Sequence, residues 1–105
     1  LLAVARRFAH SPPPPRSVYF VAVAAEEQGL LGSQYFVTHP PRPLRDIVAA
    51  INFDGGNVRG ATRDIAVTGL GKSTIDRAAA TAAAAQGRVL TGERAPERGS
   101  FYRSD

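Results

Sequence analysis

Three carboxylates stand out by type and spacing: the adjacent pair Glu26-Glu27 and, further along, Asp54. Each follows an apolar run, Val18 to Ala25 for the pair and Ile47 to Phe53 for Asp54. Carboxylates gathered in a partly desolvated crevice repel one another unless a cation offsets their charge. Hard or borderline divalent ions accept carboxylate ligands. Two neighbouring glutamates also allow a division of labour, in which one binds metal and the other takes a proton from metal-bound water. A plainer reading fits the same residues. Acidic side chains suit the first turn of a helix, and a helix is expected straight after the pair. Asp54-Gly55-Gly56 is also ordinary turn chemistry. Residue types and spacing leave both readings open.

A second constellation is Ala66-Val67-Thr68-Gly69-Leu70-Gly71-Lys72-Ser73-Thr74. It has the Gly-Lys-Ser/Thr ending of a phosphate loop and lies between an expected strand and an expected helix. The glycine that should open such a loop is Ala66, which falls inside the strand. Too little backbone then remains to wrap a phosphate in N–H groups. A Gly-rich turn with Ser73 as helix cap accounts for the segment, and no nucleotide-binding residue is assigned. The two histidines, His10 and His39, lie beside prolines and read as ordinary exposed residues.

The elements that position these groups follow from the apolar pattern. Leu1 to His10 has helical spacing and ends at Ser11-Pro12-Pro13-Pro14-Pro15, which no helix can continue. Val18 to Ala25 is apolar throughout and reads as a strand buried on both faces. Leu30 to Val37 reads as a short helix with Leu30, Leu31, Phe36 and Val37 inward and Tyr35 near its edge. Ile47 to Phe53 is a second strand interrupted by Asn52, and Asp64 to Thr68 a third. A helix capped by Ser73 or Thr74 runs to about Gln86 with Gly87 as its stop. Val89 to Thr91 is a fourth strand. Alternation of this kind predicts an α/β fold, a three-layer α/β/α sandwich with a mainly parallel, mixed sheet. Parallel strands end along one edge, where open sheets bind ligands, so Glu26, Glu27 and Asp54 are expected there together.

Composition narrows the function classes. The chain has 105 residues, no Cys, no Trp and no Met, with 13 basic against 9 acidic residues. Absence of Cys excludes a disulfide scaffold, a Cys-based zinc finger and a thiol nucleophile. No apolar run approaches the ~20 residues of a membrane span. Leu1 to Phe8 is too short for a signal peptide and carries Arg6 and Arg7 on the wrong side. The arginines are scattered, without the basic stripe and interleaved aromatics of a nucleic-acid reader, so no nucleic-acid partner is expected. A start at Leu1-Leu2 without Met is that of a processed product or of a piece of a longer chain. No oligomeric state follows from these features.

The wording around the carboxylates goes further. Val23-Ala24-Ala25-Glu26-Glu27-Gln28-Gly29-Leu30-Leu31-Gly32-Ser33-Gln34-Tyr35-Phe36 resembles the apolar-strand, Glu-Glu-x-Gly-Leu-Leu-Gly-Ser signature of the zinc aminopeptidases of metallopeptidase family twenty-eight. That family includes bacterial leucyl aminopeptidases and glutamate carboxypeptidase-like enzymes. Val48-Ala49-Ala50-Ile51-Asn52-Phe53-Asp54-Gly55 is similar to its second metal-ligand strand. Tyr102-Arg103-Ser104-Asp105 is similar to the start of its Ser-Asp-His segment. The likeness runs from about Arg16 to the last residue.

The resemblance implies metal-assisted hydrolysis of peptides by a water activated between two zinc ions. Glu26 would be the general base, Glu27 a ligand of one zinc and Asp54 of the other. Gly29, Gly32 and Ser33 would shape the turn and helix start behind them. Tyr102, Ser104 and Asp105 would lie beside the ligands or in the substrate pocket. The family's bridging Asp and first His lie upstream of the Glu-Glu strand, and its second His lies downstream of the Ser-Asp-His segment. His10 and His39 match neither position. Residues 1–105 are therefore expected to be the central part of one di-zinc catalytic domain, truncated at both ends and inactive alone. Relatives are commonly exported, which points to an extracytoplasmic compartment. A non-catalytic, receptor-like relative with the same fold is the main alternative, and a nucleotide-binding protein the lesser one.

Overall fold

The computed structural model describes residues 1–55, 57–58 and 60–105. Gly56, from the expected Asp54-Gly55-Gly56 turn, and Arg59 lie outside the described residues. The chain divides into two units, Leu1–Pro41 together with Asp105, and Arg42–Ser104.

The first unit opens with helix α1, Leu2–Ala9. Its end is secured by the Ser11 hydroxyl, which donates to the Arg7 carbonyl at 2.7 Å, before the proline run leads the chain away. Phe8 meets Phe20 edge to face, with ring centroids 5.5 Å apart, and ties α1 to the apolar run that follows. That run, Val18 to Ala25, is not a strand: among the described residues no ladder pairs it. Its side chains are also not buried, with Val18 45% and Val23 37% exposed. An apolar run encodes a demand for burial, whereas a strand exists only where a neighbour supplies ladder hydrogen bonds.

One 3₁₀ turn, Glu26–Gln28, joins this run to helix α2, Leu31–Thr38. Within α2 the expected inner face is only half realised. Leu30 and Phe36 are half-buried, but Leu31 is 50% and Val37 53% exposed. The helix start leans on the preceding run through Gly32, whose amide donates to the Ala24 carbonyl at 2.9 Å.

The second unit holds the regular sheet. Strand β1, Asp64–Val67, pairs in parallel with strand β2, Val89–Gly92, in the register Asp64↔Val89 to Val67↔Gly92. Helix α3, Ile75–Ala84, makes the crossover between them and packs on β2. Ala83 on α3 is the one fully buried hydrophobic side chain among the described residues. The alanine run has the best intrinsic helix propensity. The helix stops where sequence requires it: Arg88 N–H donates to the Ala83 carbonyl and Gly87 N–H to that of Ala84, each at 2.9 Å. This hydrogen-bond pair around a left-handed glycine is a Schellman closure. At the other end Ser73 Oγ accepts from the Ile75 amide at 3.2 Å, whereas Thr74 holds the cap position without a side-chain bond.

Helices with a parallel strand pair joined by a helical crossover are consistent with an α/β fold. The expected strand Ile47 to Phe53 carries no ladder among the described residues, and Phe53 is 77% exposed. No described helix is long and apolar enough to cross a membrane.

The contact at Gly32 sets a stability test. A Cβ there would lie 2.5 Å from both the nitrogen and the oxygen of Ala24 and 2.9 Å from Val23 Cβ. Backbone atoms cannot swing aside as a flexible side-chain tip does. Gly32→Ala should therefore cost about 1–3 kcal/mol, the usual range for overpacking. Urea unfolding of the full-length protein measures this, and an unchanged midpoint would contradict the close approach.

Candidate active site

In the first unit the glutamate pair sits on a turn bracketed by left-handed backbone. Ala25 precedes it at φ 61° and Leu30 follows it at φ 60°. Both are non-glycine residues in a conformation that crowds Cβ against the carbonyl, at a cost of roughly 1–2 kcal/mol each. Local hydrogen bonds hold the turn against that cost. The amides of Gly29 and Leu30 both donate to the Glu26 carbonyl at 3.0 Å, and the Leu31 amide reaches Ala25 O at 3.3 Å. From α2, Gln34 Nε2 donates back to the Gly29 carbonyl at 2.7 Å.

The result is a tight, hydrogen-bonded corner carrying two consecutive carboxylates. Glu26 is half-buried and Glu27 exposed, so neighbours in sequence face different surroundings. Ser33, one turn into α2, donates its hydroxyl to Asp105 Oδ1 at 2.6 Å, with the Leu30 carbonyl 3.1 Å away. Asp105 is thereby tied to the helix that backs the glutamate turn.

In the second unit Asp54 is held by a short relay. Asn52 Nδ2 donates to Ser104 Oγ at 2.7 Å, and Ser104 donates to Asp54 Oδ2 at 3.1 Å. Because the hydroxyl accepts from Asn52, its own proton is directed to the carboxylate. Ser104 thus touches Asp54. Asn52 is the residue that sequence reasoning passed over. It registered only as an interruption of an apolar run, although a lone amide two residues before a candidate ligand was the available signal.

Asp54 and Ser104 form part of an open cleft of about 380 Å³ that Thr68, Ser100 and Arg103 also line. Thr68 is the residue after the C-terminal end of β1, so the cleft reaches the edge where open parallel sheets carry ligand sites. Another wall includes Ser100, the first residue of a 3₁₀ turn, Ser100–Tyr102. That wall is pinned at Gly69, which has φ 79° and whose missing Cβ would lie 2.6 Å from Phe101 Cδ2 and Cε2. Lys72 Nζ caps the Phe101 ring at 4.1 Å from its centroid. Tyr102 is 75% exposed and turns its ring edge to face against Phe101 at 5.2 Å.

The would-be phosphate loop is occupied by its own chain. Gly71 N–H donates to Asp76 Oδ2 at 2.7 Å, and Lys72 N–H closes the turn on the Gly69 carbonyl at 3.1 Å. A carboxylate sits where an anionic phosphate would need free amides, and the loop lysine is engaged with aromatic rings. His10 ends α1, and His39 stacks on Tyr35 with ring centroids 4.2 Å apart. No group of three or more His, Cys, Asp or Glu side chains that could hold a metal ion occurs among the described residues. Zinc favours four ligands including nitrogen or sulfur, so the donors present do not form a zinc site by themselves.

The loop geometry predicts that ATP does not bind at residues 69–74. Equilibrium dialysis of the full-length protein with magnesium-ATP should show no saturable binding up to millimolar nucleotide. Micromolar binding lost in a Lys72→Ala variant would restore the phosphate-loop reading.

No solved structure matches the chain. The sequence model described as Peptidase family M28 matches residues 1–105, taking in α1 as well as the glutamate turn, Asp54 and Ser104. A match over the whole length places the chain in peptidase family M28, whose members are generally zinc-dependent.

Proposed function

We propose that the protein to which these residues belong is a metal-dependent exopeptidase of the aminopeptidase type, its catalytic domain a three-layer α/β/α sandwich. Family membership supports peptide hydrolysis. The observation that carries the finer reading is the Glu26–Gln28 turn, with two carboxylates on a corner strained at both Ala25 and Leu30. Backbone strain of this kind clusters at active sites and ligand clamps, where the surrounding structure holds it.

Glu26 is the general base. It accepts a proton from the water that attacks the scissile carbonyl, and it delivers that proton to the departing amine. Glu27 and Asp54 contribute one ligand to each of two zinc ions. The histidines and the bridging Asp of that site belong to other parts of the domain. Ser104, steadied by Asn52, fixes one oxygen of Asp54 and leaves the other to the cleft. Tyr102 and Asp105 flank the site without contributing a ligand. A receptor-like relative without activity would have no use for a strained Glu-Glu corner, and Asp76 speaks against the nucleotide reading.

Two measurements test this. In the full-length enzyme, Glu26→Gln should lower kcat by about 10²- to 10⁴-fold, the usual contribution of a positioned base, with metal content unchanged. Loss of zinc from that variant would exchange the roles of Glu26 and Glu27. The isolated 105-residue chain should show no turnover of an aminoacyl-nitroanilide at any zinc concentration. Cleavage by the isolated chain would overturn the ligand assignment.

A further inference from the structure

The N-terminal end of the sheet, opposite the edge that meets the Asp54 cleft, carries two arginines that the hydrolytic roles leave unused. Arg63 precedes β1 and Arg88 precedes β2. The strands are parallel and begin in the register Asp64↔Val89, so the two arginines lie side by side, one step ahead of the first pair. Their backbones are therefore roughly 4.8 Å apart, the spacing of neighbouring strands. The Val89 amide donates to the Arg63 carbonyl at 3.2 Å and ties the strands together at this point. Arg88 is fixed from its other side as well, because its amide closes α3 on the Ala83 carbonyl at 2.9 Å.

Like charges on neighbouring strands repel one another. Little around this pair offsets the repulsion. Among the described residues neither side chain makes a hydrogen bond or an ion pair. Asp64 is the acid next in sequence, but its Oδ2 accepts from Thr91 Oγ1 at 3.1 Å. Thr91 lies two residues beyond the register partner of Asp64, so that carboxylate leans up the sheet and away from the arginines. Thr62 and Gln86 are occupied too, on the carbonyls of Asp64 and Ala82. The C-terminus of α3 favours a cation close to its last turn, which suits Arg88 alone. Arg88 is half-buried, although arginine is rarely withdrawn from water without a partner.

Each guanidinium presents five N–H donors in a planar fork. A carboxylate fills one fork. A tetrahedral oxyanion presents oxygens along more than one edge and fills two. We infer that Arg63 and Arg88 form a binding site for a phosphate or sulfate group, separated from the hydrolytic edge by the length of β1. The inference does not rest on the peptidase reading. The group comes from either of two sources, the free ion or a monoester on a larger molecule.

Calorimetry on the full-length protein tests this, with sodium phosphate, sodium sulfate, phosphoserine and sodium acetate as titrants at constant ionic strength. Phosphate should bind saturably at roughly millimolar concentration or below. Arg63→Gln and Arg88→Gln should each weaken it about tenfold, the loss of a charge-assisted contact. Arg63→Lys should keep an intermediate affinity, since it retains charge but not the fork. Far-UV circular dichroism matching the unaltered protein establishes that the variants are folded.

If phosphoserine binds as tightly as phosphate, the site accepts monoesters. If only the inorganic ions bind, the free ion is its ligand, and the site stands in both cases. Phosphate also binds zinc, so an affinity that survives both Gln substitutions places the ion elsewhere and overturns the inference. Absence of saturable binding overturns it too, as does acetate binding as tightly as phosphate. Phosphate held through Arg63 and Arg88 in a protein that hydrolyses no peptide would instead sink the peptidase reading and leave this site standing.

Discussion

The packing of Phe101 on Gly69 is the constraint on which the second unit's site depends. A residue with any side chain at position 69 would collide with the ring, and the backbone there is left-handed besides. With the ring seated, the Ser100–Tyr102 turn is brought to the end of β1, and Ser104 follows it to Asp54. The cation–π contact from Lys72 closes the arrangement from above. Thus a residue that looks like part of a phosphate loop serves to hold an aromatic ring, and the ring holds the wall of a cleft. The Gly-Lys-Ser wording is satisfied by architecture and not by a nucleotide.

The first unit solves a similar problem by different means. It carries its carboxylates on a turn and not at the end of a paired strand. Two left-handed non-glycine residues make that turn costly, and short-range hydrogen bonds from Gly29, Leu30, Leu31 and Gln34 offset the cost. Gly32 then lets α2 approach the preceding run closely enough for its amide to reach Ala24. The Glu-Glu-x-Gly-Leu-Leu-Gly-Ser wording therefore has a physical content for each part: acids on the corner, a left-handed exit, a close approach and a serine that reaches Asp105.

What was legible in the sequence follows a clear division. β1, α3 and β2 were readable because their signals are local: the apolar triad Ile65-Ala66-Val67, a capped alanine run, a glycine stop and a second short apolar stretch. α1 and α2 were readable for the same reason. The runs 18–25 and 47–53 were read as buried strands, and among the described residues they are neither paired nor buried. Pairing is a property of two segments, and one segment's pattern cannot supply the other. Ser104 was expected near the candidate ligands only through the resemblance, and Asn52, which donates to it, was read as no more than an interruption of an apolar run. A hydrogen-bond relay across about fifty residues leaves no periodic trace in a sequence. Thr68 and Arg103 escaped for the same reason, since only the folded turn brings them to one cleft.

This division bears on how the site is held. Among the described residues a single hydrophobic side chain, Ala83, is fully buried, so bulk core packing contributes little to fixing these groups. Each candidate residue is instead positioned by a contact specific to it: Glu26 by two amides on its own carbonyl, Asp54 by Ser104, and Asp105 by Ser33. Large apolar side chains such as Val48, Ile51 and Phe53 meanwhile stay exposed, at 72%, 68% and 77%. Exposed apolar surface of this extent gains free energy when covered. Covering the 48–53 run would stiffen the segment that carries Asn52 and ends at Asp54. Order in that run and the geometry of the carboxylate are therefore linked through Asn52, which donates to the Ser104 hydroxyl that holds Asp54.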